Sequence, residues 1–178
     1  AMDTKQLLTM ITLSQTLNYQ KAAEQLLAAG DYQDAAQKFA DVATTLGNAA
    51  LEAGDNQTAI GWLEQLPESE ETQTALNRAV YAYAEQLAAD GQKEAAATEF
   101  YSLGTYQDAA DRGNALEYEL AVSERAGDVH SALDRFEALG DYGDAAEQAT
   151  HCRYLMARQA MDAGEYDEAI ALYEACGA

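Results

Sequence analysis

Apolar residues return along this chain in one fixed pattern. Alanine stands at 22, 59, 96, 132 and 169. Four residues further on stand Leu26, Leu63, Phe100, Phe136 and Tyr173, with Trp62 beside Leu63. Three residues beyond those stand Ala29, Leu66, Leu103, Leu139 and Cys176. Spacings of three and four place these positions on one face of a helix. The small residues let paired helices approach, and the large ones fill the space between layers.

Glycine marks the breaks between the apolar runs. One set of breaks falls at Gly30, Pro67, Gly104, Gly140 and Gly177, the other at Gly54, Gly91, Gly127 and Gly164, with a weaker first copy at Leu17. Both landmarks keep a period of 36 or 37 residues, which is the signature of a repeat architecture. The spacing predicts long helices over 4–16, 33–52, 70–89, 107–125 and 143–162, and short ones over 20–29, 57–66, 93–102, 129–138 and 167–175. The expected fold is all-α, an α-solenoid of about five helix-turn-helix repeats and about ten helices. The repeats run over 3–30, 31–67, 68–104, 105–140 and 141–177, as a single domain.

Acceptors three residues apart sit at the predicted helix starts: Asp31 with Asp34, Asp55 with Thr58, Thr105 with Asp108, Asp128 with Ser131, Asp141 with Asp144, and Glu165 with Glu168. They fit capping-box-like starts, with Ser69 as the cap after Pro67. The preceding glycine supplies the left-handed stop of the previous helix. Tyr19, Tyr32, Tyr106, Tyr142 and Tyr166 are expected to pack over helix ends. The fourth unit is one residue short, since Gly104 to Gly127 spans 23 residues where the others span 24. Gly113 also lies inside its long helix, so a kink or late start is expected there, with a local change of superhelical path.

The run from Gly164 to Cys176, GEYDEAIALYEAC, resembles the turn and second helix of a tetratricopeptide repeat. Leu46-Gly47 and Met156-Ala157 fall where that family places its first-helix pair. The period is longer than the family's, and a Leu-Gly-Asp-Tyr turn stands in place of the family's proline, as in divergent bacterial repeats that are often membrane-tethered. The resemblance implies a right-handed superhelix, hence a right-handed α-solenoid of tetratricopeptide-like repeats, with a concave groove lined by the long helices, which binds peptides or partner proteins and performs no chemistry. On that reading Tyr81, Tyr118 and Tyr154, with Thr44 as the earlier member, face the groove. The alternative is that a residue present in most units belongs to the stacking. Two further positions vary between units, one through Asp41, Arg78, Ala115 and His151, the other through Asn48, Glu85, Val122 and Arg158. Such variation suits a specificity surface and equally a solvated face.

Composition narrows the partners. A net charge of −21 disfavours nucleic acid and anionic membrane surfaces and favours a basic protein or peptide segment. Much of the acid stands at helix starts, where it complements the helix dipole. Cys152 and Cys176 occupy apolar slots and read as buried free thiols rather than as a disulfide or metal site. No calcium loop, cofactor motif or catalytic constellation is present, and the neighbours His151 and Cys152 point about 100° apart on a helix. No cofactor and no enzymatic activity are expected. The alternatives are a spacer or a module that self-associates through an open C-terminal repeat, and, more remotely, an enzyme on a helical toroid. Ala1-Met2 reads as a cloning remnant and Gly177 as the turn before a further helix pair, so a fragment of a longer protein is expected. No leader is read. The fragment is expected to be soluble, in the cytoplasm or tethered by parts outside it.

Overall fold

The computed structural model describes residues 4–32 and 34–177, without the side chains of 4–14. Ala1-Met2 and the predicted helix start at 33 lie outside the described residues. The described residues form nine helices and no strand: α1 Thr4–Ala29, α2 Ala35–Glu52, α3 Asn56–Leu63, α4 Glu70–Ala89, α5 Lys93–Ser102, α6 Ala109–Glu124, α7 Val129–Leu139, α8 Ala145–Ala163 and α9 Tyr166–Cys176. Contacts divide the chain into a first unit, Ala1–Tyr83, and a second, Ala84–Ala178. In the first, α1 packs on α2 and α2 on α3; in the second, α5 to α9 pack each on the next. Among the described residues no helix is long and apolar enough to cross a membrane.

The expected break at Leu17 does not occur, and the helices expected over 4–16 and 20–29 are the single helix α1. The reason is local. Leu17-Asn18-Tyr19 contains no glycine, and a left-handed residue other than glycine costs roughly 1–2 kcal/mol, so the helix continues. The alanine slot shifts with it: Ala23 is 1% exposed, whereas Ala22 is only half-buried.

The remaining turns fall into two geometries. Gly54, Gly91 and Gly164 have φ of 76°, 79° and 79°, and the residue after each glycine donates to a carbonyl five residues back (Asp55 to Ala50, Gln92 to Leu87, Glu165 to Ala160). This is the Schellman stop. Gly30, Gly104 and Gly140 have φ of 55–57°, and here tight bonds follow in series: Tyr142 N–H donates to Leu139 and Ala145 N–H to Tyr142, with the same pattern at 30–35 and 104–109. The turn uses up three residues, so α2, α6 and α8 begin after Asp34, Asp108 and Asp144 rather than at the earlier acceptors. Those three aspartates make no side-chain cap bond. Asp55, Ser69 and Asp128 do cap as expected, accepting from Thr58, Thr72 and Ser131 at 3.2, 3.0 and 3.1 Å. Each such cap gives a partner to a helix N–H that has none within the helix.

The missing residue of the fourth unit is absorbed at Gly127. Asp128 N–H reaches back only four residues, to Glu124 at 2.7 Å, and Gly127 needs no positive φ. Helix α6 runs unbroken through Gly113 and starts at the same point of the turn as α2 and α8. Gly113 serves packing instead. A Cβ there would stand 2.8 Å from Tyr101 Cε1, so the glycine makes the notch in which the Tyr101 ring lies.

The alanines at 59, 96, 132 and 169 are fully buried. They let α3, α7 and α9 approach the long helix before them. Leu63, Phe100 and Phe136 are buried alongside, and each such side chain stabilises by roughly 1.5–3 kcal/mol. In the first unit Leu63 packs with Ala50, Ala59 and Ala79. In the second, Phe136 packs with Ala121, Val129, Ala132, Ala145, Ala149 and Cys152.

Candidate interaction surface

The long helices position every residue the sequence singled out. Thr44 and Asn48 are exposed on α2, and the Thr44 hydroxyl donates to the Ala40 carbonyl of its own helix at 2.8 Å. Arg78 is exposed on α4, in a shallow cleft with Glu70, Glu71 and Thr74, and Tyr81 is half-buried on the same helix. These four residues belong to the first unit. In the second unit Glu85 pairs with Arg112 at 3.3 Å.

Tyr118 and Tyr154, equivalent in the repeat, differ in surroundings. The Tyr118 ring meets Phe136 edge-on at 5.5 Å and Tyr142 at 6.4 Å. Its hydroxyl donates to Asp144 Oδ1 at 2.6 Å. That bond favours the neutral phenol and the ionised carboxylate, so the Tyr118 pKa is raised and the Asp144 pKa lowered; Gln148 adds to the second effect. Tyr118 therefore ties α6 to the start of α8. Tyr154 on α8 is 44% exposed, and its ring meets Tyr173 of α9 at 5.9 Å. His151 and Arg158 stand exposed one turn to either side of it. Residues 151, 154 and 158 point away from the helix face that buries Ala145, Ala149 and Cys152.

The turn tyrosines also divide. Tyr142 packs against Tyr118, and Tyr106 is half-buried, while Tyr32 and Tyr166 are mostly exposed. The expectation that all five cover helix ends is corrected for Tyr19, which lies inside the unbroken α1, and for Tyr166. Tyr166 is the first residue of α9, beyond the end it would have covered.

Pairing of the cations adds an observation that no spacing carried. Arg135 on α7 bonds Glu94 of α5 and, on α6, Glu117 at 2.7 Å and Glu124 at 2.8 Å. The Glu124 bond foremost holds its guanidinium even more firmly charged than usual. Lys38 pairs with Asp34, Lys93 with Glu119 and Arg153 with Glu137, and Arg125 bonds Gln148. Of the lysines and arginines whose side chains are described, only Lys21, Arg78 and Arg158 make neither an ion pair nor a hydrogen bond. Two of these three are members of the variable set.

Of the cysteines, Cys152 is buried and Cys176 half-buried, and both are free. Burial pushes the Cys152 thiol pKa up, away from the reactive thiolate. A cleft of about 450 Å³ opens between α5, α6 and α7, lined by Tyr101, Asn114, Glu117, Arg135, Ala138 and Leu139. Its polar groups are engaged with one another: Tyr101 donates to Asn114 at 2.9 Å, and Arg135 holds Glu117.

Compared with known protein families, with curated proteins and with solved structures, the chain matches none.

Proposed function

We propose that this chain is a non-enzymatic scaffold, a right-handed α-solenoid of tetratricopeptide-like repeats that binds a protein or peptide on the exposed face of its long helices. The observation that carries the reading is the pairing of the cations. In a chain of net charge −21, arginines find carboxylates easily, yet Arg78 and Arg158 stand exposed without one. Both occupy positions whose identity changes from repeat to repeat, and Arg158 lies one turn from the exposed ring of Tyr154. Exposed arginine and tyrosine are the residue types that dominate binding energy at interfaces. The overall charge adds long-range attraction for a basic segment, while the arginines set local register.

The test is affinity capture from the source cell's extract. The Arg78→Glu/Arg158→Glu variant and a Glu68→Lys control, in the loop between α3 and α4, run beside the parent chain. Loss of a specific partner in the double variant alone is expected; equal retention by all three proteins would defeat the proposal.

A second reading, self-association through α9, is favoured by the exposure of Tyr166, Ile170 and Tyr173. A strictly monomeric chain at high concentration would remove it.

A further inference from the structure

One junction between helices departs from the repeat. At the slot of Tyr101 the other units carry Leu27, Glu64, Glu137 and Glu174, and at the slot of Gly113 they carry Phe39, Leu76 and Ala149. The tyrosine and the glycine that admits it occur together only between α5 and α6. Tyr101 borders the cleft of about 450 Å³ whose other walls are Asn114, Glu117, Arg135, Ala138 and Leu139. Pockets for small ligands span roughly 300–1,000 Å³. In the next junction Glu137 and Arg153 hold the slots of Tyr101 and Glu117 and pair with each other. Tyr101 and Glu117 have no such way to neutralise one another. Helices α8 and α9 follow in the same unit, so the cleft is interior to the helix series.

The bonds inside the cleft leave a defined set of polar atoms over. Asn114 accepts the Tyr101 hydroxyl through Oδ1, and its amide N–H groups have no partner. Glu117 accepts from Arg135 through Oε2 alone, which leaves Oε1. Residues three apart on a helix stand side by side, so donors sit beside a carboxylate oxygen. Charge then selects the ligand. Arg135 is one guanidinium among the carboxylates of Glu94, Glu117 and Glu124, which leaves two negative charges over.

We propose that this cleft captures the free amino terminus of a peptide segment of the partner protein. The terminal ammonium donates to Glu117 Oε1, and the first carbonyl accepts from the Asn114 amide. The first side chain, an apolar one, lies against Leu139, Ala138 and the Tyr101 ring. A lysine side chain would satisfy Glu117 but brings no acceptor for Asn114. The inference rests on the scaffold reading and names the chemistry of one part of the partner, at a place separate from Arg78 and Arg158.

The probe is the tetrapeptide Leu-Ala-Ala-Ala amide with a free amino terminus, titrated into the whole chain and followed by the Asn114 side-chain amide in two-dimensional NMR. Binding is expected, weakened about 10-fold by acetylating the peptide's amino terminus or by Glu117→Gln, each of which removes a charge from the bond. Glu117→Gln also disturbs Arg135, so Ala138→Leu is the second variant. It stands at an exposed position of α7, fills the cleft and leaves the Arg135 pairs in place. It is expected to weaken binding as much. Equal binding of the free and acetylated peptides, or binding unmoved by Ala138→Leu, would overturn the proposal. So would N-acetyl-lysine amide binding as tightly as the free peptide, which would assign the cleft to a side chain. Failure of these arms with normal partner loss in the Arg78→Glu/Arg158→Glu variant would leave the scaffold reading standing.

Discussion

Replacing Gly113 by alanine has opposite effects in two backgrounds. Within a helix, glycine to alanine stabilises by about 1 kcal/mol through propensity alone. In this chain the added methyl would meet Tyr101 Cε1 at 2.8 Å and Cδ1 at 3.0 Å, closer than carbon atoms pack. The Tyr101 ring is 43% exposed, so it can swing out rather than force the backbone apart. Swinging out breaks its bond to Asn114, a loss of about 1 kcal/mol. It also uncovers the half of the ring now packed, about 1 kcal/mol more. The two losses outweigh the propensity gain, and Gly113→Ala is expected to destabilise the chain by about 1 kcal/mol. With Tyr101→Ala already present the clash is gone, and the same change is expected to stabilise by about 1 kcal/mol. Urea unfolding followed by circular dichroism at 222 nm measures all four proteins. Stabilisation by Gly113→Ala in both backgrounds would refute the notch.

Gln107 adopts φ 49° at the turn position where the next repeat has Gly143 at φ 56°; Gln107→Gly is expected to raise stability by about 0.5–1 kcal/mol, read as a shift in urea midpoint. Phe136→Ala empties a fully buried site and is expected to cost about 3–5 kcal/mol by the same assay. Because the Tyr118 hydroxyl holds the Asp144 pKa below the ordinary carboxylate range, the stability from that bond is present above the unfolded pKa. It fades as pH falls through the lower folded value. Tyr118→Phe is expected to move the Asp144 titration upward, as followed by carbonyl NMR, and an unmoved titration would exclude the bond. The Tyr118 phenol itself is expected to ionise above pH 10, later than a free tyrosine, in an absorbance titration at 295 nm.

The helix pairs were legible because their determinants are single residues. A left-handed turn needs glycine at Gly54, Gly91, Gly140 and Gly164, and a close helix approach needs alanine at 96, 132 and 169. Where the period was extended without such a residue, at Leu17, the expected turn failed. The helix starts at Asp34, Asp108 and Asp144 were hidden because two acceptors three apart satisfy the same capping pattern, and only the turn's backbone bonds choose between them. Gly113 looked like a helix weakness because the ring it accommodates comes from a different helix. Of the surface residues, the variable positions Arg78 and Arg158 could be read from repeat alignment. The structural engagement of Tyr118 could not, since Asp144 is 26 residues away. Arg135 was missed for the same reason: its partners lie 11, 18 and 41 residues distant.

The most direct test of the scaffold reading is site-specific photo-crosslinking. A photoreactive residue replaces His151, on the exposed face of α8, or Glu68, in the loop between α3 and α4, and each protein is irradiated in the source cell's extract. The account predicts one discrete adduct from position 151, lost on Arg158→Glu, and none from position 68. Equal adducts from both positions, or an adduct at 151 indifferent to Arg158→Glu, would contradict it.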